Sequence, residues 1–343
     1  MSKNHYIIPI FVPHEGCPHN CVFCNQDRIT GVKDRVDANK AEEIIKEYYE
    51  TIENKDATIE VSFFGGTFTA IPEKKQRELL EVAKKYKDKG IINKIRMSTR
   101  PDYIDEYILS YLKEYSVDII ELGIQSLDDE VLVAAGRGHS KEDAMRASNL
   151  IKEFGITLGH QLMPGLPKST SDKDILSAKE SIKMNPEIVR IYPSLVIKDT
   201  PMEIMYNRGE YIPYTLEEAV LVSSEVFKLY DKAGINVIRV GLQPTDAINE
   251  GCDIISGPFH PAFRELVSSN ITIQNIKGSI DKNSSYELII NEKDISKLYA
   301  NKKMYFNTLK EEGYKVKVIV SPEIKRGTFK LSNNKFEKII RIY

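Results

Sequence analysis

No run of about 18 apolar residues occurs in this 343-residue sequence, so no bilayer-spanning helix is expected. The opening Met-Ser-Lys-Asn-His-Tyr-Ile-Ile-Pro-Ile lacks the longer apolar core and small-residue cleavage site of a secretory signal. That favours a cytoplasmic protein. Neither sign of charge dominates: 48 Lys+Arg stand against 50 Asp+Glu, a net charge of -2. The chain as a whole therefore has no blanket attraction for nucleic acid. There is no internal repeat and no low-complexity tract, and with 41% hydrophobic and 29% charged residues the composition is that of a globular protein. Disorder, collagen-like repeats and coiled coil are excluded as readings. Cysteine is scarce, and three of the four lie between Cys17 and Cys24. Such a lopsided distribution does not suit a disulfide framework and points to a reduced metal site.

What charge there is sits unevenly. Residues 271–343 hold 15 Lys/Arg and 8 Asp/Glu, whereas the remainder is acidic. A basic tail on an acidic body fits an anionic partner, and equally a solvated lysine face.

Short β-rich runs alternate with longer helical ones. Strands are expected at His5–Val12, Ile59–Phe64, Lys94–Thr99, Asp118–Ile124, Thr157–Met163, Ile188–Tyr192 and Asn236–Val240. Amphipathic segments separate them, among them Asn39–Glu53, Glu73–Lys87, Lys141–Phe154, Ser171–Lys183 and Thr215–Ala233. This alternation predicts an α/β protein with a parallel sheet under helices. Six to seven units suit a complete or partial barrel and an open doubly wound sheet alike, and periodicity alone does not choose. The Gly-rich and polar words fall just after the strands, so they should converge on the sheet's carboxyl rim. Residues 244–270 show little periodicity and read as a connecting or lid segment. Beyond them, strand-like Tyr286–Asn291 and Lys315–Ser321 flank a helix at Ile295–Glu312, a small α+β appendage. The expected division is 1–243, 244–270 and 271–343.

Cys17-Pro-His-Asn-Cys21-Val-Phe-Cys24 is the strongest signal. Three thiols on one loop can face a single cubane cluster in which each iron takes one thiolate. The fourth iron would then lack a protein ligand and stay open to an exogenous chelator. A zinc site completed by His14, His19 or a remote residue is the competing reading.

The spacing Cys17-x3-Cys21-x2-Cys24, with Phe23 before the third cysteine, resembles the signature of the radical S-adenosylmethionine (SAM) superfamily. The resemblance covers about residues 5–243. It implies a partial (β/α)6-type radical SAM barrel with a small C-terminal α+β appendage, and a [4Fe-4S] cluster on Cys17, Cys21 and Cys24. The open iron would chelate SAM, whose reductive cleavage gives a 5′-deoxyadenosyl radical. A flavodoxin or ferredoxin would supply the electron. Phe23 matches the position beside adenine, and Gly65-Gly66-Thr67 the turn whose carbonyls accept from the SAM amino group. Within the superfamily, the words Thr99-Arg-Pro-Asp-Tyr103, Glu121-Leu-Gly-Ile-Gln-Ser-Leu127, Arg137-Gly-His139, Met163-Pro-Gly-Leu-Pro167 and Ile191-Tyr-Pro-Ser-Leu195 are similar to the elongator catalytic subunit's radical SAM domain. A more distant likeness is to oxygen-independent coproporphyrinogen oxidases. It implies ribose and carboxylate contacts from Gln125 and, twelve positions on, Arg137. Ser98 stands where those families carry Glu, and Gln161 where the oxidases carry Asp.

Toward substrate, the candidates are His160, Tyr192, Arg239 and His260. His160 reads as catalytic or as a buried, hydrogen-bonded core histidine. Arg190 and Arg239 read as internal ion pairs or as anion contacts, because a strand arginine needs a partner. His260, within Gly257-Pro-Phe-His-Pro-Ala-Phe263, reads as part of a lid or of a packed linker. Cys252 reads as a fourth ligand, a hydrogen donor or an inert thiol. Three functions follow: RNA (tRNA) modification, which the basic 271–343 region favours; chemistry on a small molecule, lipid or cofactor; and a non-catalytic SAM or redox sensor.

Overall fold

A computed structural model describes residues 4–12, 17, 21–25, 36–244, 249 and 251–342. Seven parallel strands form the main sheet: β1 (His5–Val12), β2 (Thr58–Gly65), β3 (Lys94–Thr99), β4 (Ile119–Gln125), β5 (Thr157–Leu162), β6 (Ile188–Ile191) and β8 (Asn236–Val240). A two-residue β7 (Val196–Ile197) pairs instead with β9 (Ile254–Ser256). The spatial order of the seven follows the sequence order without reversal. A doubly wound sheet reverses direction at a switch point. Here every crossover runs the same way, so right-handed connections lay all the helices on one face. The sheet curls as a half-barrel with a helix-covered convex face and an open concave one, as the resemblance implied.

The connecting helices are α1 (Ala38–Thr51), α2 (Glu73–Asp88), α3 (Glu106–Glu114), α4 (Asp129–Ala134), α5 (Lys141–Glu153), α6 (Ser171–Lys183), α7 (Pro201–Asn207) and α8 (Leu216–Lys232). Their starts are chemically marked. Asp37, Asp105 and Asp128 each accept from a backbone N–H of the first turn, and Ser140 and Thr215 form reciprocal boxes with Asp143 and Glu218. Such caps satisfy amides that have no partner within the helix. Ile8, Ile10, Val61, Phe63, Ile95, Met97, Leu122 and Leu158 alternate onto the convex face and are buried under the helices.

The weakly periodic stretch contains a helix that the sequence pattern did not give. α9 (Phe263–Lys277) begins inside 244–270 and runs past 271. Phe263, Leu266, Val267, Ile271, Ile273 and Ile276 are all buried, so no polar side marks it as amphipathic. It lies between two layers: Asn270 Nδ2 donates to Ser224 Oγ of α8 at 2.9 Å, and Ser269 Oγ donates to the Leu298 carbonyl at 3.1 Å. Beyond it, β10 (Ser285–Ile290) pairs in parallel with β11 (Lys315–Val320) and antiparallel with β12 (Thr328–Asn333), which carries β13 (Phe336–Arg341). The β12–β13 hairpin was not expected. The single helix expected over Ile295–Glu312 is two pieces, α10 (Ile295–Leu298) and α11 (Ala300–Glu311), with Asn301, Lys302 and Lys303 at positive φ near their junction.

Candidate active site

The concave face is polar where the convex face is oily. Five side chains, one from each of five strands, form a chain of polar and ionic contacts across it. His5 on β1 meets Glu60 on β2 at 2.9 Å, Glu60 meets Arg96 on β3 at 2.7 Å, and Arg96 meets Glu121 on β4 at 3.0 Å. Arg190 on β6 then forks onto Glu121, through Nε to one oxygen and through Nη2 to the other at 3.0 Å. To do so it reaches across β5, where Gln161 is its own register partner and Gly159 that of Glu121. A Cβ at Gly159 would lie 2.9 Å from the Glu121 side chain, so glycine leaves that side chain its room. Burial alone would lower the proton affinity of Arg190, but Glu121 and Tyr192 outweigh it and hold the guanidinium above its ordinary value. Glu121 and Glu60 were not singled out from sequence; an acid and an arginine at alternate positions of neighbouring strands was the available signal.

Above this floor opens a cavity of about 560 Å³. The cysteine loop borders one side of it through Cys17, Cys21, Cys24 and Phe23. The loop is tied to its surroundings: Val22 N donates to the Ala135 carbonyl at 3.0 Å, and Met202 N to the Val22 carbonyl at 2.8 Å. Cys21 and Phe23 pack in a small apolar cluster with Val131, Leu166, Met202 and Tyr211. His14 and His19, the proposed completing zinc ligands, lie outside the described residues.

Two arginines converge on Cys21. Arg137 Nη1 lies 3.4 Å and Arg100 Nη1 3.6 Å from its sulfur. Asp102 clamps Arg100 with two bonds of 3.0 Å, and Arg100 also donates to the Arg137 carbonyl. Arg137 Nη2 donates to the Gly123 carbonyl at 2.5 Å, whereas its Nε is buried without a partner among the described residues. Burial pulls the Arg137 proton affinity down, and Cys21 opposes that shift. His139 donates from Nε2 to the Ile124 carbonyl at 3.2 Å, and burial followed by the charges of Arg137 and Arg100 pushes its pKa down to about 3.

The remaining rim words also reach the cavity. Gly65, at φ 107°, brings β2 so near β1 that a Cβ would stand 2.5 Å from the Val12 carbonyl oxygen. Gly66, Thr67 and Ser98 continue that wall. Gln125 adopts φ 62°, rare for a residue with a side chain, and its Oε1 accepts from Gln161 Nε2 at 3.3 Å. Gly123 makes room for both groups, since a Cβ there would fall 2.8 Å from Gln125 Nε2 and 3.4 Å from Arg137 Nη2. Tyr192 and Arg239 line it as well.

Two expected catalytic residues are not in this wall. His160 points to the convex face, 0% exposed, with Nε2 3.0 Å from Ser148 Oγ and Nδ1 2.8 Å from Ser181 Oγ. Burial, with a lesser effect from Lys152, holds it neutral with a pKa pushed down to about 3. It is the core histidine of the two readings, because strand alternation turns Gln161 inward and His160 outward. His260 sits in the turn before α9, where its Nδ1 accepts from Ala262 N at 3.1 Å. It is not among the cavity's lining residues. Cys252 is exposed and also off the wall.

Among the described residues no three His, Cys, Asp or Glu side chains converge on one metal ion. A cubane does not ask for that, since each thiolate binds a different iron. Three cysteine sulfurs bordering one cavity, with two guanidiniums turned to the middle one, fit an anionic iron–sulfur cluster. The model of the radical SAM superfamily matches residues 11–180, and that of the radical SAM C-terminal domain matches residues 186–272. The chain belongs to the radical SAM superfamily. It is therefore an enzyme whose cofactors are a [4Fe-4S] cluster and SAM.

Its relatives in that superfamily include the tRNA uridine(34) acetyltransferase of Methanocaldococcus infernus, 40% identical over 131 residues, which are 37% of this chain and 24% of that protein. An uncharacterized protein of Methanocaldococcus jannaschii is 32% identical over 61% of this chain and 66% of its own length. The structure of M. infernus Elp3 lacking its N-terminus superimposes with a TM-score of 0.65 at 25% identity, over 81% of this chain and 64% of that one. This chain thus spans about a quarter of the acetyltransferase it matches, 24%. No helix among the described residues is long and apolar enough to cross a membrane.

Proposed function

We propose that this radical SAM enzyme modifies RNA, with tRNA as its substrate. When bound, the cluster and SAM supply a 5′-deoxyadenosyl radical that abstracts hydrogen from substrate. Cys17, Cys21 and Cys24 hold the cluster, and Arg100 and Arg137 donate to the Cys21 sulfur. Phe23 would lie against adenine, and Gly65, Gly66 and Thr67 would offer backbone carbonyls to the SAM amino group. Ser98, Gln125, Gln161 and Arg137 supply polar contacts for ribose and carboxylate, and Tyr192 and Arg239 face substrate. The single observation that carries the reading is the cavity that all these groups share. RNA as substrate is supported by relatives named for tRNA uridine(34) and by the basic 271–343 region, which is read as the RNA-contacting part of the chain. Electrons come from a flavodoxin or ferredoxin.

Anaerobically reconstituted protein with dithionite and SAM should form 5′-deoxyadenosine, and Cys21→Ala should abolish it. Zinc in place of iron in anaerobic preparations would overturn the cluster assignment. Bulk tRNA should be retained at low salt and released steeply as salt rises, through counterion release. A protein that cleaves SAM but does not retain tRNA would favour the second reading, a small-molecule substrate. The small volume of the cavity, about 560 Å³, and the acidic balance of residues 1–270 support that second reading.

A further inference from the structure

Four arginines and one carboxylate, Glu121, line the cavity. Three of the arginines have an assigned counter-charge or sulfur. Asp102 clamps Arg100, the Cys21 sulfur takes Arg137, and Glu121 takes Arg190. The concave charge chain closes on itself, because Glu60 and Glu121 balance Arg96 and Arg190. Arg239 stands outside that balance. It lies directly opposite Arg190 in the β6–β8 register. Two like charges so placed repel unless each has its own partner. Among the described residues, the partner of Arg239 is the neutral amide of Gln243, whose Oε1 accepts from its Nη1 at 2.7 Å. A carboxylate at that place would neutralise the guanidinium. An amide aims it and leaves the charge unspent. Beside it, the Tyr192 hydroxyl accepts from Arg190 Nη1 at 3.1 Å, which leaves its own proton for a ligand.

We propose that Arg239, aimed by Gln243, is the anchor for an oxyanion of the substrate, a phosphate or a carboxylate that completes the missing ion pair. Planar guanidinium donors suit both groups, since each offers two oxygens to the fork. The anchor lies on β8, one lateral edge of the half-barrel, and the cysteine loop follows β1, the other edge. The anion site therefore lies on the β8 wall of the cavity and fixes one end of the substrate there. This inference rests on reading the cavity as the SAM site, and it separates the two arginines that the sequence left equivalent.

The test is equilibrium binding to the reconstituted holoenzyme with SAM present, using uridine 5′-monophosphate, uridine, inorganic phosphate and acetate as probes. Wild type is compared with R239Q, R239K and Q243E. A phosphate source predicts that the monophosphate binds at least tenfold tighter than uridine, and that R239Q and Q243E each remove that advantage. A carboxylate source predicts the same pattern for acetate alone. R239K should recover part of the loss. If R239Q does not fold, Q243E tests the same charge by adding an acid beside an intact arginine. The SAM dissociation constant of each variant is read in parallel. A loss of SAM affinity equal to the loss of anion affinity would make Arg239 a SAM clamp and overturn the proposal. So would anion binding that is indifferent to all three variants. Either failure is distinguishable from failure of the radical reading, which is reported by 5′-deoxyadenosine formation in the wild type.

Discussion

The convex and concave faces of the seven-stranded sheet come from the same strands, one residue out of phase, and differ in almost everything else. Toward the helices stand Val61, Met97, Leu122, Leu158 and Val189, all at 0% exposure. Toward the cavity stand Glu60, Arg96, Glu121 and Arg190, also buried but joined end to end by ion pairs. Helices remove water from the convex face outright, so apolar burial stabilises it. The concave face is open to a ligand at one end, and its buried charges are offset by pairing with one another. The lesson is that a polar residue on a strand has a different meaning on each face. His160, turned outward, is buried among the helices, whereas Gln161, its neighbour, lines the cavity.

The comparison can be broken most severely at Glu121. Glu121→Ala strips two buried guanidiniums of their shared acid, and unfolding by denaturant should report a loss of roughly 3–5 kcal/mol. A loss below about 1 kcal/mol would show that the concave chain contributes no more than surface pairs do. Gly159→Ala should cost about 1–3 kcal/mol by overpacking the Glu121 and Ile188 side chains. The two buried histidines are tested by pH. His160 and His139 keep a pKa near 3 when folded, against about 6.5 when unfolded. The unfolded chain binds their protons first as pH falls, so the stability they contribute is complete above about 6.5 and is lost progressively toward about 3. His160→Gln should flatten that slope by up to roughly 1.4 kcal/mol per pH unit; an unchanged slope would place its acid sensitivity elsewhere. The smallest effect belongs to the C-terminal sheet, whose Lys330–Glu337 pair at 2.8 Å is partly open to water. Lys330→Ser should change stability by less than about 0.5 kcal/mol, and less still in high salt.

Much of this was legible before any coordinates. Lys94–Thr99, Ser171–Lys183 and Asn236–Val240 fall where periodicity put them, because parallel strands are short apolar runs and the helices carry clear polar sides. The rim words met in one cavity, since carboxyl ends of parallel strands share an edge. What stayed hidden had contacts on both sides or none in the pattern. α9 is buried between two layers and shows no polar stripe. The β12–β13 hairpin alternates weakly, with Lys330, Glu337 and Lys338 among its residues. Arg100 lay inside a recognised word, but nothing local says that its guanidinium turns to a sulfur 79 positions away.

By itself the sequence determined the strand and helix alternation, the three clustered thiols and the family, because each is a local pattern of spacing and side-chain chemistry. Only the tertiary structure decided which face of each strand lines the cavity, that Arg190 is neutralised by Glu121, and that Arg239 meets a neutral amide and no acid among the described residues. Those are facts of pairing between strands far apart in the chain, and no local spacing encodes which distant charge a guanidinium will meet.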